Sequence, residues 1–296
     1  MSDTRDLRPQ EPEPKEAPEE GAGHPLARFA RHYLLALQFF TRIPVTGRLA
    51  AWTGFSQPML RRSAAHFPGV GWLVGLVAAT VYGLLLVALP PSVFAPLVAA
   101  VLCTVATVLL TGGFHEDGLA DLADGLGGGR TRERALEIMK DSRVGAFGAM
   151  ALVLALAAKV ALLALLGDST LTGADATRAC LLVWLAHVLS RGAPLYIVAR
   201  LVHVGDAAGS KSKPLAEQIS RRSLWVGFLW CFLALASAAL QLDALTLIAS
   251  TGALLLALAY MARLLARRLQ GFTGDGLGAT QQVCEIAFYL GAALVS

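Results

Sequence analysis

Apolar stretches of about 20 residues recur along the chain, at 67–90, 92–112, 145–167, 178–199, 224–241, 244–262 and 280–296, each long enough to cross a bilayer core as a helix. They are filled by Leu, Ala, Val and Gly without the period-two alternation of strands, so they read as helices and not as an outer-membrane barrel. Gly69, Gly71, Gly75, Gly83, Gly192 and Pro194 inside them are tolerable where neighbouring helices satisfy the backbone. A further segment at 29–45 is short and stops at Arg42 and Pro44, and reads as an interfacial helix. The expected fold is all-α: a polytopic integral membrane bundle of about seven transmembrane helices, with that additional interfacial helix near the N-terminus.

Composition agrees. Of 296 residues, 55% are hydrophobic and 16% charged, and the mean hydropathy is +0.59; an average soluble domain carries about 25% charged residues. Residues 1–25 differ from everything after them. They hold five of the 13 prolines and seven of the 21 acids, a composition that cannot bury a core. The expected organisation is a disordered acidic Pro-rich tail over 1–25 and one transmembrane catalytic domain over 26–296. The tail lacks the basic, apolar and cleavage regions of a signal peptide, so no cleavage is expected. Cys103, Cys180, Cys231 and Cys284 lie in four different apolar segments without metal-ligand spacing, and read as packing residues.

The loops alternate in charge. Arg42, Arg48, Arg61 and Arg62 occupy 42–66; Arg130, Arg132, Arg134, Lys140 and Arg143 occupy 112–144; Arg200, Lys211, Lys213, Arg221 and Arg222 occupy 199–223; Arg263, Arg267 and Arg268 occupy 263–280. The intervening loops near Pro90–Pro91, 168–176 and 241–243 have no Lys or Arg. The positive-inside rule therefore puts every long polar loop on the cytoplasmic side of a bacterial inner membrane. The net charge of +4 implies no nucleic-acid partner, and the chain gives no sign of whether it forms a homo-oligomer.

Seven of the 14 acids outside the tail fall in 116–141. Asp117, Asp121 and Asp124 are spaced i, i+4, i+7, which on a helix places three carboxylates on one face, where they repel unless a cation sits between them. Hard oxygen ligands suit Mg²⁺, which takes one or two carboxylates together with water and substrate phosphate oxygens. His115 is a candidate ligand or base, although imidazole is a poorer partner for Mg²⁺ than for Zn²⁺. A solvated acidic face is the plainer alternative. Gly125, Gly127, Gly128 and Gly129 before Arg130 suggest a backbone turn able to approach phosphates. Lys140 and Arg143 could hold a diphosphate, with positive-inside anchoring as the competing explanation.

Other candidates stand further along. Asp275, in Gly271-Phe-Thr-Gly-Asp275-Gly-Leu-Gly278, is a fourth metal or substrate candidate at the start of the last span, and Glu285 is a weaker one. Arg42 could contact phosphate or equally anchor the interface, and Arg191, beside Gly192 and Pro194, could line a substrate pocket. Lys211 and Lys213 could clamp a substrate phosphate, or serve anionic lipid equally well. Lys159 sits mid-span, where snorkelling or pairing to a neighbouring helix explains it better than catalysis.

With these residues in view the sequence resembles the cobalamin synthase family, the membrane adenosylcobinamide-GDP ribazoletransferases. The likeness is carried by Phe39-Phe-Thr-Arg-Ile-Pro44, Phe67-Pro-Gly-Val-Gly71, Thr111-Gly-Gly-Phe-His-Glu-Asp-Gly-Leu-Ala-Asp-Leu-Ala-Asp-Gly125, Lys140-Asp-Ser-Arg-Val-Gly-Ala-Phe-Gly148 and Gly271–Gly278, in order from about residue 30 to 290. The resemblance implies a Mg²⁺-dependent transfer. A hydroxyl of α-ribazole, or of its 5′-phosphate, attacks the cobinamide-side phosphate of adenosylcobinamide-GDP and expels GMP. On the reading of the residues above, Asp117, Asp121 and Asp124 would hold the metal, with Asp275 a fourth metal or substrate candidate, Asp141 and Arg143 would complete the reacting pocket, and His115, a carboxylate or a metal-bound alkoxide could each take the hydroxyl proton. Arg42, Arg130, Lys140, Arg191, Lys211 and Lys213 are left for substrate. The Asp-x-x-Asp-Gly run at Asp121–Gly125 also resembles part of the CDP-alcohol phosphotransferase signature, but Arg130 follows one residue late, which leaves an analogy of chemistry only.

Two other classes remain in play. A cation transporter would use the acids as an entry funnel, but would need ionisable or broken-helix sites near the midplane and often repeated halves, and no internal repeat is visible. A membrane prenyl-diphosphate enzyme would also use aspartates and Mg²⁺, yet its usual paired-Asp motif is absent.

Overall fold

The computed structural model describes residues 24–168, 176–205 and 219–296. Nearly all of the expected tail, and Lys211 and Lys213, lie outside those residues. Among the described residues there are twelve α-helices and no strand, only an isolated parallel bridge between His203 and Phe272. Helices α1 (Pro25–Phe40), α2 (Gly47–Thr53) and α3 (Gln57–Ser63) precede α4 (Phe67–Ala88), α5 (Ala95–Thr111), α6 (Phe114–Gly128) and α7 (Arg132–Ile138). Then follow α8 (Ala146–Leu166), α9 (Ala176–Arg200), α10 (Arg221–Ala238), α11 (Ala244–Arg268) and α12 (Gly274–Ala293).

Each of the seven apolar stretches is a helix. Four described helical stretches, Gln57–Ala88, α8, α9 and α11, are long and apolar enough to cross a membrane, and a fifth span results if α5 and α6 count as one bent pair. Helices α10 and α12 fall short on that measure: α10 opens with Arg221 and Arg222, and α12 carries Asp275, Gln281, Gln282 and Glu285. The chain is thus a multi-pass helical membrane protein, and the described residues supply four or five such spans against the seven expected.

Helix α9 is the axis of the bundle, with 72% of its apolar window buried, against 17% for α8 and 22% for α11, whose outer faces are left for lipid. Lipid tails are as apolar as leucine, so close backbone approach, not escape from water, holds such helices together. Glycine provides the approach. A Cβ on Gly71 would stand 2.5 Å from the His187 carbonyl oxygen, and one on Gly75 2.7 Å from that of Trp184, which locks α4 against α9.

Between α5 and α6 the chain turns by 90°. Gly112 and Gly113 both have φ near +70° (72° and 71°), a region that L side chains rarely adopt, so the turn depends on glycine. The loops expected to share one side do gather at one end. The Arg132 guanidinium donates to the Leu269 carbonyl at 2.8 Å, and Arg268 donates to the carbonyls of Leu126 and Gly129, both at 2.9 Å. Val204 and Phe272 pair through the backbone, and the Arg42 amide donates to Leu110 at 2.7 Å. At the opposite end Arg178 ties α9 to Thr246 at 2.7 Å.

Candidate active site

The polar end carries the acids. Helix α6 presents exposed Asp117 and half-buried Asp121 one turn apart. Asp275 reaches them from another helix because position 118 is glycine: a Cβ there would stand 2.9 Å from the Asp275 Cα. Asp275 occupies the first turn of α12, which Thr273 caps by accepting from the Gly276 amide at 3.1 Å, a place where the helix dipole favours negative charge. Among the described residues no Lys or Arg forms an ion pair with Asp117, Asp121 or Asp275. Partial burial, then repulsion from Asp117, Asp275 and Asp124, pushes the Asp121 carboxyl up to about 7. Burial and Asp117 raise Asp275 to about 6.

Asp124 departs from the expected trio. Its side chain is 8% exposed and turned into the start of α8, where its two oxygens accept from the Gly145 amide at 2.6 Å and the Gly148 amide at 2.8 Å. Those amides lie at a helix N-terminus and lack intrahelical partners, so a carboxylate from α6 satisfies them. Gly145 must lack a side chain, since a Cβ there would stand 2.5 Å from Asp124 Oδ1. The spacing is therefore split between two tasks: Asp117 and Asp121 face outward, and Asp124 seats α8.

The glycine run is also corrected. Gly125, Gly127 and Gly128 continue α6 as helix, because packing there leaves no room for side chains: a Cβ on Gly125 would meet Met139 at 2.5 Å and the Ala135 carbonyl at 2.9 Å. Only Gly129 leaves the helix, at the C-cap.

The remaining candidates divide by depth. Arg42 is exposed and lies across Gly112, at the turn that starts the acidic helix. Arg130 and Lys140 are exposed nearby in sequence. Arg143, with an 87% exposed side chain, pairs with Asp141 at 2.6 Å, and its guanidinium hydrogen bonds hold the Asp141 carboxyl down at about 2. His115 is buried, stacked 5.6 Å from the Phe67 ring, and its Nε2 has no hydrogen-bond partner. Arg191, 2% exposed, donates to His187 Nδ1 at 3.0 Å and to the His187 carbonyl at 2.9 Å, with Phe67 under its guanidinium.

A second charged group lies inside the bundle. Lys159 of α8 and Glu285 of α12 form an ion pair at 2.7 Å with side chains 2% and 1% exposed. His187 stands 3.5 Å from the same carboxylate, Gln281 donates to it at 2.7 Å, and Tyr289 at 3.3 Å. Gln282 then donates to Glu116 at 2.9 Å, linking α12 to the acidic helix.

No three His, Cys, Asp or Glu side chains form a ready metal cage among the described residues. A Mg²⁺ shared with a substrate phosphate does not need one. Two carboxyls raised by burial and by the neighbouring Asp117, with no Lys or Arg of the described residues paired to the three, suit such an ion.

The sequence model for cobalamin-5-phosphate synthase matches residues 32–293. The chain belongs to that family. Relatives named adenosylcobinamide-GDP ribazoletransferase include one from a Polaromonas species, 63% identical over 279 residues, covering 92% of this chain and 99% of its own. A second, from Polaromonas naphthalenivorans, is 64% identical and covers 91% and 99% of the two chains. The Vibrio cholerae relative is 41% identical, covering 87% and 91%. No solved structure matches. The transporter alternative finds no support in the family or in these relatives.

Glu116, Gln281 and Gln282 were not among the sequence candidates. Their signal was present, since polar side chains entering an apolar helix need partners, but the helix that would supply the partners is 166 positions away for the Glu116–Gln282 bond.

Proposed function

We propose that this chain is an adenosylcobinamide-GDP ribazoletransferase. It acts in the bacterial inner membrane with its acidic end in the cytoplasm, and it depends on Mg²⁺. The observation that carries the reading, beside family membership, is the set of Asp117, Asp121 and Asp275, brought together from two helices and without an ion-paired Lys or Arg among the described residues.

In the reaction, a hydroxyl oxygen of α-ribazole or its 5′-phosphate forms a bond to the cobinamide-side phosphorus. The anhydride bond to GMP breaks, and GMP carries away that electron pair. Asp117, Asp121 and Asp275 would hold Mg²⁺, and neutralisation of the diphosphate is what the ion supplies when bound. Arg143, exposed at the start of α8 and oriented by Asp141, binds a diphosphate oxygen through its planar fork. Arg42, lying across Gly112 at the start of α6, adds positive charge at that end of the helix. The proton released by the hydroxyl passes to a carboxylate of the acidic face. Asp124 does not touch substrate in this scheme; it fixes α8, and so the Arg143 loop, against α6.

The test is cobalamin formation from adenosylcobinamide-GDP and α-ribazole in purified membranes, with and without Mg²⁺, for wild type and Asp121→Asn. Product and GMP should appear together, only with the metal, and be lost in the variant at equal protein level. Folded wild-type protein that forms neither would sink the transferase reading.

A further inference from the structure

Away from the acidic face, a groove of about 400 Å³ runs between α9, α10 and α11, a volume within the range of ligand sites. On α9 its lining includes Leu189, Gly192, Tyr196 and Arg200, spaced by three and four residues, so the groove follows the helix axis. From Leu189 to Arg200 the helix rises about 16 Å, half of a hydrocarbon core of about 30 Å. The groove is therefore one leaflet deep. It is open on the lipid side, where Tyr196, Phe228 and Leu255, one from each helix, are exposed.

Glycine sets its floor. A Cβ on Gly192 would stand 2.7 Å from Cys231 Sγ, and one on Gly227 would run into Leu195. These contacts fix the antiparallel register of α9 and α10, which further along brings Arg200 level with Arg222. The mouth of the groove is thus basic. Arg200 lines it with its guanidinium over the Tyr196 ring at 5.1 Å, and exposed Arg221 and Arg222 open α10. Among the described residues no acid forms an ion pair with any of the three. The mouth also lies at the polar end of the bundle, since the Val202 carbonyl accepts from the Phe272 amide at 2.9 Å, three residues before Asp275.

We infer that this groove holds one acyl chain of an anionic phospholipid, with the lipid phosphate bound by Arg200. The shape selects the tail. Spread over about 16 Å, the volume leaves a mean section of about 25 Å², far below the roughly 80 Å² of a helix about 10 Å across, so a second copy of the chain does not fit. The charge selects the head. A guanidinium at the headgroup level suits phosphate oxygens through its planar fork, and Arg221 and Arg222 add attraction for a net negative lipid. A zwitterionic lipid brings its own cation to that mouth and gains less.

The experiment uses the full chain, purified in detergent and stripped of lipid. It is titrated with phosphatidylglycerol and with phosphatidylcholine of identical acyl chains, and bound lipid is counted by native mass spectrometry. Wild type should retain one phosphatidylglycerol, bound at least tenfold more tightly than phosphatidylcholine. Arg200→Gln should cut that preference to twofold or less, and Arg200→Lys should keep most of it. Ala199→Trp and Leu255→Trp, which fill the groove, should weaken the retained lipid at least tenfold; thermal midpoints identify the variants that are folded. Equal affinity for the two lipids overturns the assignment, as does a preference that survives Arg200→Gln or retention unchanged in folded Trp variants. A stable dimer that the Trp variants split would make the occupant a second copy, and also overturns it. None of these outcomes bears on the transferase reading.

Discussion

Two groups of charges occupy this molecule, and they are treated in opposite ways. In the bundle interior Lys159, Glu285, His187, Gln281 and Tyr289 form a network in which the Glu285 carboxylate has a partner on every side. At the polar end Asp117, Asp121 and Asp275 are brought together by Gly118, and among the described residues no Lys or Arg pairs with them. Charges that a fold neutralises itself are part of its framework. Charges it collects and leaves unbalanced are held for something that arrives later, and the difference separates architecture from chemistry better than burial or residue type does.

The comparison breaks most visibly at Asp121. Asp121→Asn should lower kcat by about 10²–10³-fold, the scale of losing one preorganised electrostatic group, while the thermal midpoint in the absence of metal stays the same or rises. A fall in midpoint parallel to activity would make Asp121 a framework residue. The interior should behave in reverse. Glu285→Gln or Lys159→Met alone strands a buried charge and should cost about 3–5 kcal/mol, read as lost midpoint and yield, whereas Lys159→Met with Glu285→Leu should recover most of it. If the double variant is as unstable as the singles, the pair is not what matters there.

Arg143 sharpens the contrast from the cationic side. Its exposed guanidinium is oriented by Asp141 and is not consumed by the core, so Arg143→Ala should raise KM for adenosylcobinamide-GDP about tenfold with little change in folding, and Arg143→Lys should restore only part of it. The smallest effect is on pH. The folded carboxyls of Asp121 and Asp275, at about 7 and about 6, lie above their ordinary value of 3.8, so the native state binds more protons than the unfolded chain between those limits. Stability without metal should therefore fall as pH rises from about 4 to 7, then level off. Added Mg²⁺ should raise the midpoint at pH 7.5 and not at pH 4.5. A midpoint that climbs over the same range would show that these acids are already neutralised.

Much of this was legible in the chain. Apolar length placed five helices to within about three residues and α11 and α12 to within about six, and the absence of Lys and Arg from alternate loops foretold which loops share an end. The i, i+4 relation of Asp117 and Asp121 gave the exposed face. Two things were not legible. Asp124 continues the same periodicity but points at α8, and only the packing of α8 on α6 reveals that its oxygens are taken by Gly145 and Gly148. The glycine run after it looked like a phosphate turn because glycine permits turns, yet here glycine serves closeness, with Met139 and the Ala135 carbonyl filling the space. The mid-span position of Lys159 left snorkelling and pairing both open; its partner Glu285 lies on a helix 126 positions later, a distance across which spacing carries no information.

The turn at Gly112 and Gly113 has a consequence for scale. It lays α6 at 90° to α5, so the carboxylates are displayed along a shelf at the bundle's rim and not down a shaft within it. A shaft admits only what fits its bore. A shelf sets no limit on the far side of the molecule it holds, so a protein of 31.1 kDa can act on one phosphate of a corrinoid nucleotide while most of that bulky partner stays outside.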